Sequence, residues 1–377
     1  MTDTDVLIVG AGPAGATAAV NLAPARNVLL IDYRSVAAAQ PAAQVGECLA
    51  PAARRLLTDM GIFESFLEQG HAPCYGNRAV WGGTHPVETD FLRDPDGHGW
   101  HLDRRLFDTW LRQLAVERGA ALLAPARVIG VTRQAGLWSV SLTTPEGTQA
   151  LRSRFLIDAG GQFAPLARRL GAKRHTEDRM VCVWMRGFAK PSAETAGFTF
   201  VEAVEDGWWY TAPIPGGRRI LAFHTDADLL VARVPCVPES LMEKTGTAPA
   251  LAAQLADCGF SPEGPARMTI AVAGRLKPPG GSGWLATGDA AVGFDPLSAQ
   301  GLLNALFTGL AGAEAADAFL AGDANAFERY GRMIDGIGDA YRLHRDRWYG
   351  EEKRWPDAPF WARRQGKQNG GAWRRPT

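Results

Sequence analysis

The stretch DVLIVGAGPAGATAAVNLA, Asp5 to Ala23, decides the fold. Its opening DVLIVG is a short, β-branched apolar run of the kind a parallel sheet covers on both faces. Gly10-Ala11-Gly12-Pro13-Ala14-Gly15 then matches G-x-G-x-x-G, a turn that feeds an alanine-rich helix. A second apolar run, NVLLIDYR, ends at Asp32, 22 residues after Gly10, with Arg34 just beyond. The bare glycine pattern is weak evidence. Between a strand and a helix, with an acid closing the next strand, it is specific: Gly10 makes the turn, Gly12 lets backbone approach a pyrophosphate, and Gly15 lets helix pack on strand. The helix N-terminus faces the phosphates and Asp32 accepts from a ribose hydroxyl. The motif alone leaves FAD and NAD both open.

The chain's 377 residues exceed one typical domain, and a 46% hydrophobic content can fill a sizeable core. Lys plus Arg and Asp plus Glu are equal at 40 each, so no polyanionic partner is favoured and nucleic acid is not expected. No apolar run reaches the roughly 18 residues of a spanning helix, so no membrane span is expected. Cys48, Cys74, Cys182, Cys236 and Cys258 show no C-x-x-C or Cys/His spacing, which argues against disulfides and against a metal. With no export signal at the start, a reducing cytoplasm is the expected location.

The Ala-, Gln- and Pro-rich residues between Asp32 and about Leu56 read as a loop able to cover a ligand. HLDRRLFDTWLRQLAVERGA, His101 to Ala120, has helical spacing and stops at Gly119. A meander follows, with PEG as its hairpin turn, and ends in the buried strand FLIDAGG. From Met180 to Thr269 strand-like pieces recur, among them GWWYTAPIP, Gly207 to Pro215. The expected fold is α/β: a Rossmann-like dinucleotide domain (1–83, 101–172 and 271–325) interleaved with an antiparallel-sheet substrate domain (84–100 and 173–270). A C-terminal helical, basic and aromatic tail (326–377) completes it.

The second cradle decides the cofactor. Gly288-Asp289-Ala290-Ala291 follows the apolar strand GWLAT, and Asp295-Pro296-Leu297-Ser298-Ala299-Gln300-Gly301-Leu302 opens the next helix. Gly288 permits close approach, Asp289 can accept from a second hydroxyl, and a helix starting near Ser298 offers free amides to an anionic oxygen. A cofactor reaching both Gly10 and Asp289 must be long. FAD is long, and its reduced ring gains charge that a helix N-terminus stabilises.

G-x-G-x-x-G together with G-D-A-A-x-x-x-D-P-x-S-x-x-G resembles FAD-dependent monooxygenases of the p-hydroxybenzoate hydroxylase fold, a class that includes tryptophan halogenases and geranylgeranyl-reductase-like enzymes. The resemblance covers nearly the whole chain. It implies cofactor contacts at both glycine turns and at Arg34, Val128, Pro296, Ser298, Gln300, Gly301 and Leu302. It also implies contacts at Asp158 and Gly160 of an Asp-Gly motif that here carries an inserted alanine, and at Arg104 of HLDRRL. Glu47, in Gly46-Glu47-Cys48, falls near the flavin ring in that pattern.

Halogenases of this class carry a lysine about thirty residues after their Gly-Glu-Ser segment and a W-x-W-x-I-P sequence. Here no lysine precedes Lys173, the corresponding region reads Cys74-Tyr75-Gly76-Asn77-Arg78, and the motif tryptophans fall on Tyr210 and Ala212. Arginine stays protonated and is no adaptable amine. Halogenation is therefore not expected. In a strand Trp208 and Tyr210 point one way and Trp209 the other, so these rings either wall a substrate pocket or pack the core.

GECLAPAARRLL, GWHLDRRLFD, GWWYTAPIPGGRRILAFHTDADL and RWPDAPFWARR are more closely similar to the flavoproteins that mature tryptophylquinone cofactors. That resemblance implies hydroxylation of a tryptophan in a partner polypeptide, with O2 as co-substrate and NADH or NADPH as electron donor, directly or through a flavin reductase. Trp208, Trp209 and Tyr210 would hold the indole, and the basic tail would either contact the partner or pack on its own protein as a terminal helix or arm. Three alternatives stand beside it: a hydroxylase or halogenase of a free small aromatic in secondary metabolism, a non-catalytic FAD-binding assembly factor, and a saturating reductase.

Overall fold

The structure is a computed structural model that describes residues 2–35, 45–190, 197–229 and 237–366. Much of the expected covering loop, Cys236 and the last eleven residues lie outside this set. The chain divides into two compact units: residues 1–71, 102–177 and 272–339, and residues 72–101, 178–271 and 340–377.

In the first unit the strand Thr2–Val9 lies between Gly147–Asp158 and Val28–Ile31, parallel to both. Val28–Ile31 pairs in parallel with Ala121–Leu123, and Gly147–Asp158 with Trp284–Ala286. Val6, Leu7 and Ile8 are fully buried, as an apolar run in a doubly covered parallel sheet must be. The antiparallel meander Arg127–Gln134, Leu137–Thr144 and Gly147–Asp158 continues the sheet, with Thr144 opposite Gly147 across the Pro145-Glu146 turn. The helix Gly301–Leu320 packs on the glycine-turn helix Pro13–Leu22. Contact is close there: a Cβ on Gly309 would sit 2.5 Å from the Ala14 carbonyl oxygen.

The second unit is built on a seven-stranded sheet in the order Ser261–Ile270, Met180–Phe188, Arg218–Asp226, Gly207–Ile214, Phe198–Val204, Gly76–Val80, Val87–Asp90. It is antiparallel except where Phe198–Val204 runs parallel to Gly76–Val80. The helices Pro238–Lys244 and Pro249–Asp257 contribute Leu241, Leu251 and Leu255 to a core with Val183, Phe200, Trp209, Leu221 and Phe223.

Two boundaries differ most from the sequence expectation. The first falls at 71/72 rather than 83/84, because Gly76–Val80 hydrogen-bonds into the second unit's sheet. The second falls at 339/340, and residues 340–366 belong to the second unit rather than to a separate tail. Trp361 is fully buried and donates to the Val204 carbonyl at 2.9 Å, Glu352 accepts from the Gly82 amide at 2.9 Å, and Arg364 pairs with Asp226 at 2.7 Å. These bonds are internal to the unit, so the described part of the C-terminal segment is a structural strap.

Candidate cofactor cradle and aromatic strand

The glycine turn is tight at two positions and open at the third. Gly10 has φ +108°, and a Cβ there would sit 2.3 Å from the Ala159 carbonyl oxygen; a Cβ on Gly15 would sit 1.9 Å from the carbonyl oxygen of Gly10. Neither position admits another residue without moving backbone. A Cβ on Gly12 meets nothing within 4 Å. Gly12 is also the N-cap of Pro13–Leu22 and offers no side-chain cap, so the first-turn amides remain available to an anion. The buried Asp32 carboxylate braces this turn: Oδ2 accepts from the Ala11 amide at 2.9 Å and Oδ1 from the Arg34 amide at 2.8 Å. Oδ1 also accepts from the Arg34 Nε at 3.4 Å, and Oδ2 keeps a second lone pair for a hydroxyl. Beyond it, Arg34 and Arg127 lie over the exposed Tyr33 ring at 5.3 and 5.0 Å, and Val128 is buried beside Arg127.

Asp158 sits behind the turn. Its Oδ1 accepts from Gly160 at 2.9 Å, and Oδ2 from the Leu166 and Ala167 amides at 2.8 and 2.7 Å. It therefore holds the Ala159-Gly160 peptide against Gly10 and caps the helix Pro165–Arg169. Burial pushes its carboxyl up to about 6, against the pull of those three amides. Asp158→Ala strands three amides, two of them buried, and is expected to cost about 1–3 kcal/mol in urea unfolding, with Asp158→Asn intermediate.

At the second cradle Gly288 donates to Thr308 Oγ1 at 2.8 Å, and a Cβ on it would lie 2.7 Å from the Ala14 Cβ, so the two glycine turns meet. Asp289 is solvent-exposed although protein crowds around it. Burial raises its carboxyl, while Arg174 and Arg104 pull it down. Arg174 donates to the Asp289 carbonyl at 2.7 Å. The helix expected near Ser298 begins at Gly301: Asp295 accepts from Leu297 at 2.9 Å, Pro296–Ser298 forms a 3-10 turn, and Ala299 is left-handed at φ +50°. Gln300 is the N-cap without a side-chain bond, and Gly301 and Leu302 form the first helical turn.

Arg104 opens the helix Arg104–Glu117, which Asp103 caps through the Arg105 and Leu106 amides. Its guanidinium makes two 3.2 Å bonds to Asp108 and reaches the Val45 and Gly46 carbonyls at 3.3 and 3.1 Å. Glu47 is fully buried and accepts from the Gly46 amide at 2.9 Å. Burial opposes the Arg104 charge, but Asp108, Glu47 and Asp289 outweigh it and hold the group above its ordinary value. Arg112, two turns along the same helix, reaches the Ala11 carbonyl at 3.5 Å. The spacing of four between Arg104, Asp108 and Arg112 puts all three on one face of the helix.

In the second unit Trp208, Trp209 and Tyr210 follow strand alternation. Trp209 faces the core, 4.8 Å from Phe223. Trp208 shares the other face with the partly exposed Tyr210. It is 1% exposed and lies flat on His224, its cross-strand neighbour, with ring centroids 3.7 Å apart and planes at 6°. Burial pushes the His224 imidazole down to about 3, against a bond to the Trp208 backbone. The folded state thus keeps His224 neutral while the unfolded chain protonates near 6.5. Stability should be full above pH 6.5 and fall by up to about 1.4 kcal/mol per pH unit as pH drops toward 3. His224→Phe should flatten that part of the pH–stability curve. Arg78 pairs with Glu88 at 2.6 Å and stacks over Phe198 at 4.8 Å.

A Rossmann-like sheet with two glycine cradles, an open Gly12 and free helix N-termini fits a flavin dinucleotide. Residues 3–210 match the FAD binding domain family, and the chain belongs to that family of FAD-dependent oxidoreductases. Over 384 residues it is 27% identical to a protein of Marinomonas mediterranea named as an FAD-dependent oxidoreductase, LodB, covering 97% of each. It is 28% identical over 331 residues to a menaquinone reductase of Mycobacterium tuberculosis, covering 83% of this chain and 76% of that one. Among solved structures, the myxobacterial chondrochloren halogenase CndH superposes with a TM-score of 0.86 at 23% identity, over 97% of this chain and 86% of that one. QhpG, a peptidyl tryptophan dihydroxylase essential for tryptophylquinone cofactor biogenesis, does so with a TM-score of 0.75 at 24% identity, over 97% and 79%. Both share the fold. No helix among the described residues is long and apolar enough to cross a membrane.

Proposed function

We propose that this protein is an FAD-dependent monooxygenase that hydroxylates a tryptophan side chain of a partner polypeptide during tryptophylquinone maturation. The observation that carries this reading is at Arg78: the region where halogenases place their lysine holds a guanidinium already engaged by Glu88 and Phe198. The likeness to QhpG, a peptidyl tryptophan dihydroxylase, supports a polypeptide as substrate, and the likeness to LodB supports an FAD-dependent oxidoreductase. Bound FAD, reduced by NADH or NADPH or by a flavin reductase, supplies with O2 an electrophilic hydroxyl.

The chain's residues bind, shape and position. Gly12 and the helix start at Pro13 receive the pyrophosphate, while Asp32 and Asp289 accept from hydroxyls at either end of the cofactor. Arg104 ties the segment 45–47 to its helix and so fixes Glu47. Tyr210 presents its ring to the substrate, with the Trp208–His224 stack fixing its sheet face, and Trp209 serves the core. An indole is electron-rich and needs no base to activate it, which suits a neutral His224.

Oxygen uptake by the FAD-loaded enzyme with its electron donor tests the reading. Uptake should rise with a tryptophan-bearing precursor polypeptide, and added chloride or bromide should change nothing. Equal stimulation by free indole or phenol would support the small-molecule hydroxylase instead, and no stimulation by any of them would support the non-catalytic assembly factor.

A further inference from the structure

Arg112 is half-buried on the Arg104–Glu117 helix, and its two hydrogen bonds go to the Ala11 carbonyl at 3.5 Å and to Thr109 Oγ1 at 3.1 Å. No carboxylate among the described residues lies within ion-pair distance of it. Burial depresses its guanidinium; Asp108 and Asp32 oppose this, and Arg34 adds to it. A cation so placed is costly unless an anion joins it. The neighbouring groups show where that anion belongs. Ala11 is the residue between Gly10 and Gly12, and the two peptides that flank it are held by the Asp32 carboxylate on its N–H and by Arg112 on its carbonyl. Directly beyond it lie the open face of Gly12 and the uncapped first turn of Pro13–Leu22. Asp108, the nearest acid on the same helix, is already engaged by Arg104 in two bonds.

We propose that Arg112 is the counter-charge of the cofactor's pyrophosphate, completing from a second helix the cradle that the glycine turn begins. A guanidinium is suited to that task because its planar donors match phosphate oxygens and its charge is permanent. The glycine motif carries no such charge itself, so this residue would set much of the affinity and nearly all of its salt sensitivity.

The full-length protein, stripped of cofactor, would be titrated with FAD, ADP and adenosine at several salt concentrations. Arg112→Gln removes the charge and leaves a shorter polar side chain, and Arg112→Lys restores charge without the planar fork. The expected result is that Arg112→Gln weakens FAD and ADP by about 10- to 100-fold, leaves adenosine unchanged and flattens the salt dependence, with Arg112→Lys in between. Wild-type affinity for FAD and ADP in Arg112→Gln would overturn the proposal. So would an equal loss for adenosine, since Arg112 would then act only by shaping the turn.

Discussion

Gly12→Trp is expected to purify as a folded but colourless protein. A Cβ at this position meets open space, so the substitution starts without a backbone clash, and the indole would occupy the ground where backbone must approach the pyrophosphate. FAD affinity should fall by at least about 100-fold, roughly 2.7 kcal/mol, while circular dichroism and the unfolding midpoint of the cofactor-free protein stay near wild type. Gly15→Ala provides the contrast. Its Cβ would stand 1.9 Å from the Gly10 carbonyl oxygen, so that variant should lose fold and cofactor together. A yellow, stoichiometric Gly12→Trp protein would show that the cofactor does not lie on this turn.

Arg104→Leu should destabilise the protein by about 3–5 kcal/mol, because Asp108 and Glu47 would be left buried without their cation. The loss is expected in denaturant unfolding of the cofactor-free protein, separate from any effect on turnover. The double variant Arg104→Leu/Asp108→Leu should recover part of it, since removing both partners is far cheaper than stranding one. If Arg104→Leu unfolds at the wild-type denaturant concentration, the buried ion cluster has no structural role. The variant should also release the Val45–Gly46 segment, whose carbonyls Arg104 holds, and so free the Glu47 backbone beside it.

The first unit was legible because its local patterns each have one physical solution. A doubly covered strand must be apolar throughout, and Gly10 and Gly15 occupy positions where any Cβ meets backbone within 2.3 Å. The second cradle was legible in position but not in its start: Ala299 adopts a left-handed conformation and delays the helix to Gly301, which no spacing rule announces. The unit boundaries were misplaced because they depend on long-range pairing. Gly76–Val80 looks local, yet it joins Phe198–Val204 more than a hundred residues away. The C-terminal arginines and tryptophans left docking and packing on the protein itself both open, because charge and aromaticity look alike whether turned outward or, as with Trp361 and Arg364, turned inward. The alternation of Trp208, Trp209 and Tyr210 was readable. The His224 stack was not, since it needs the register of two strands.

The central claim is tested most directly by mass spectrometry of a tryptophan-bearing precursor polypeptide after turnover with FAD, an electron donor and isotopically labelled O2. Hydroxylation of a peptidyl tryptophan predicts labelled oxygen on the indole of that polypeptide and no halogen when chloride or bromide is present. Oxygen appearing only on a free aromatic supplied alongside, with the polypeptide unchanged, would contradict it.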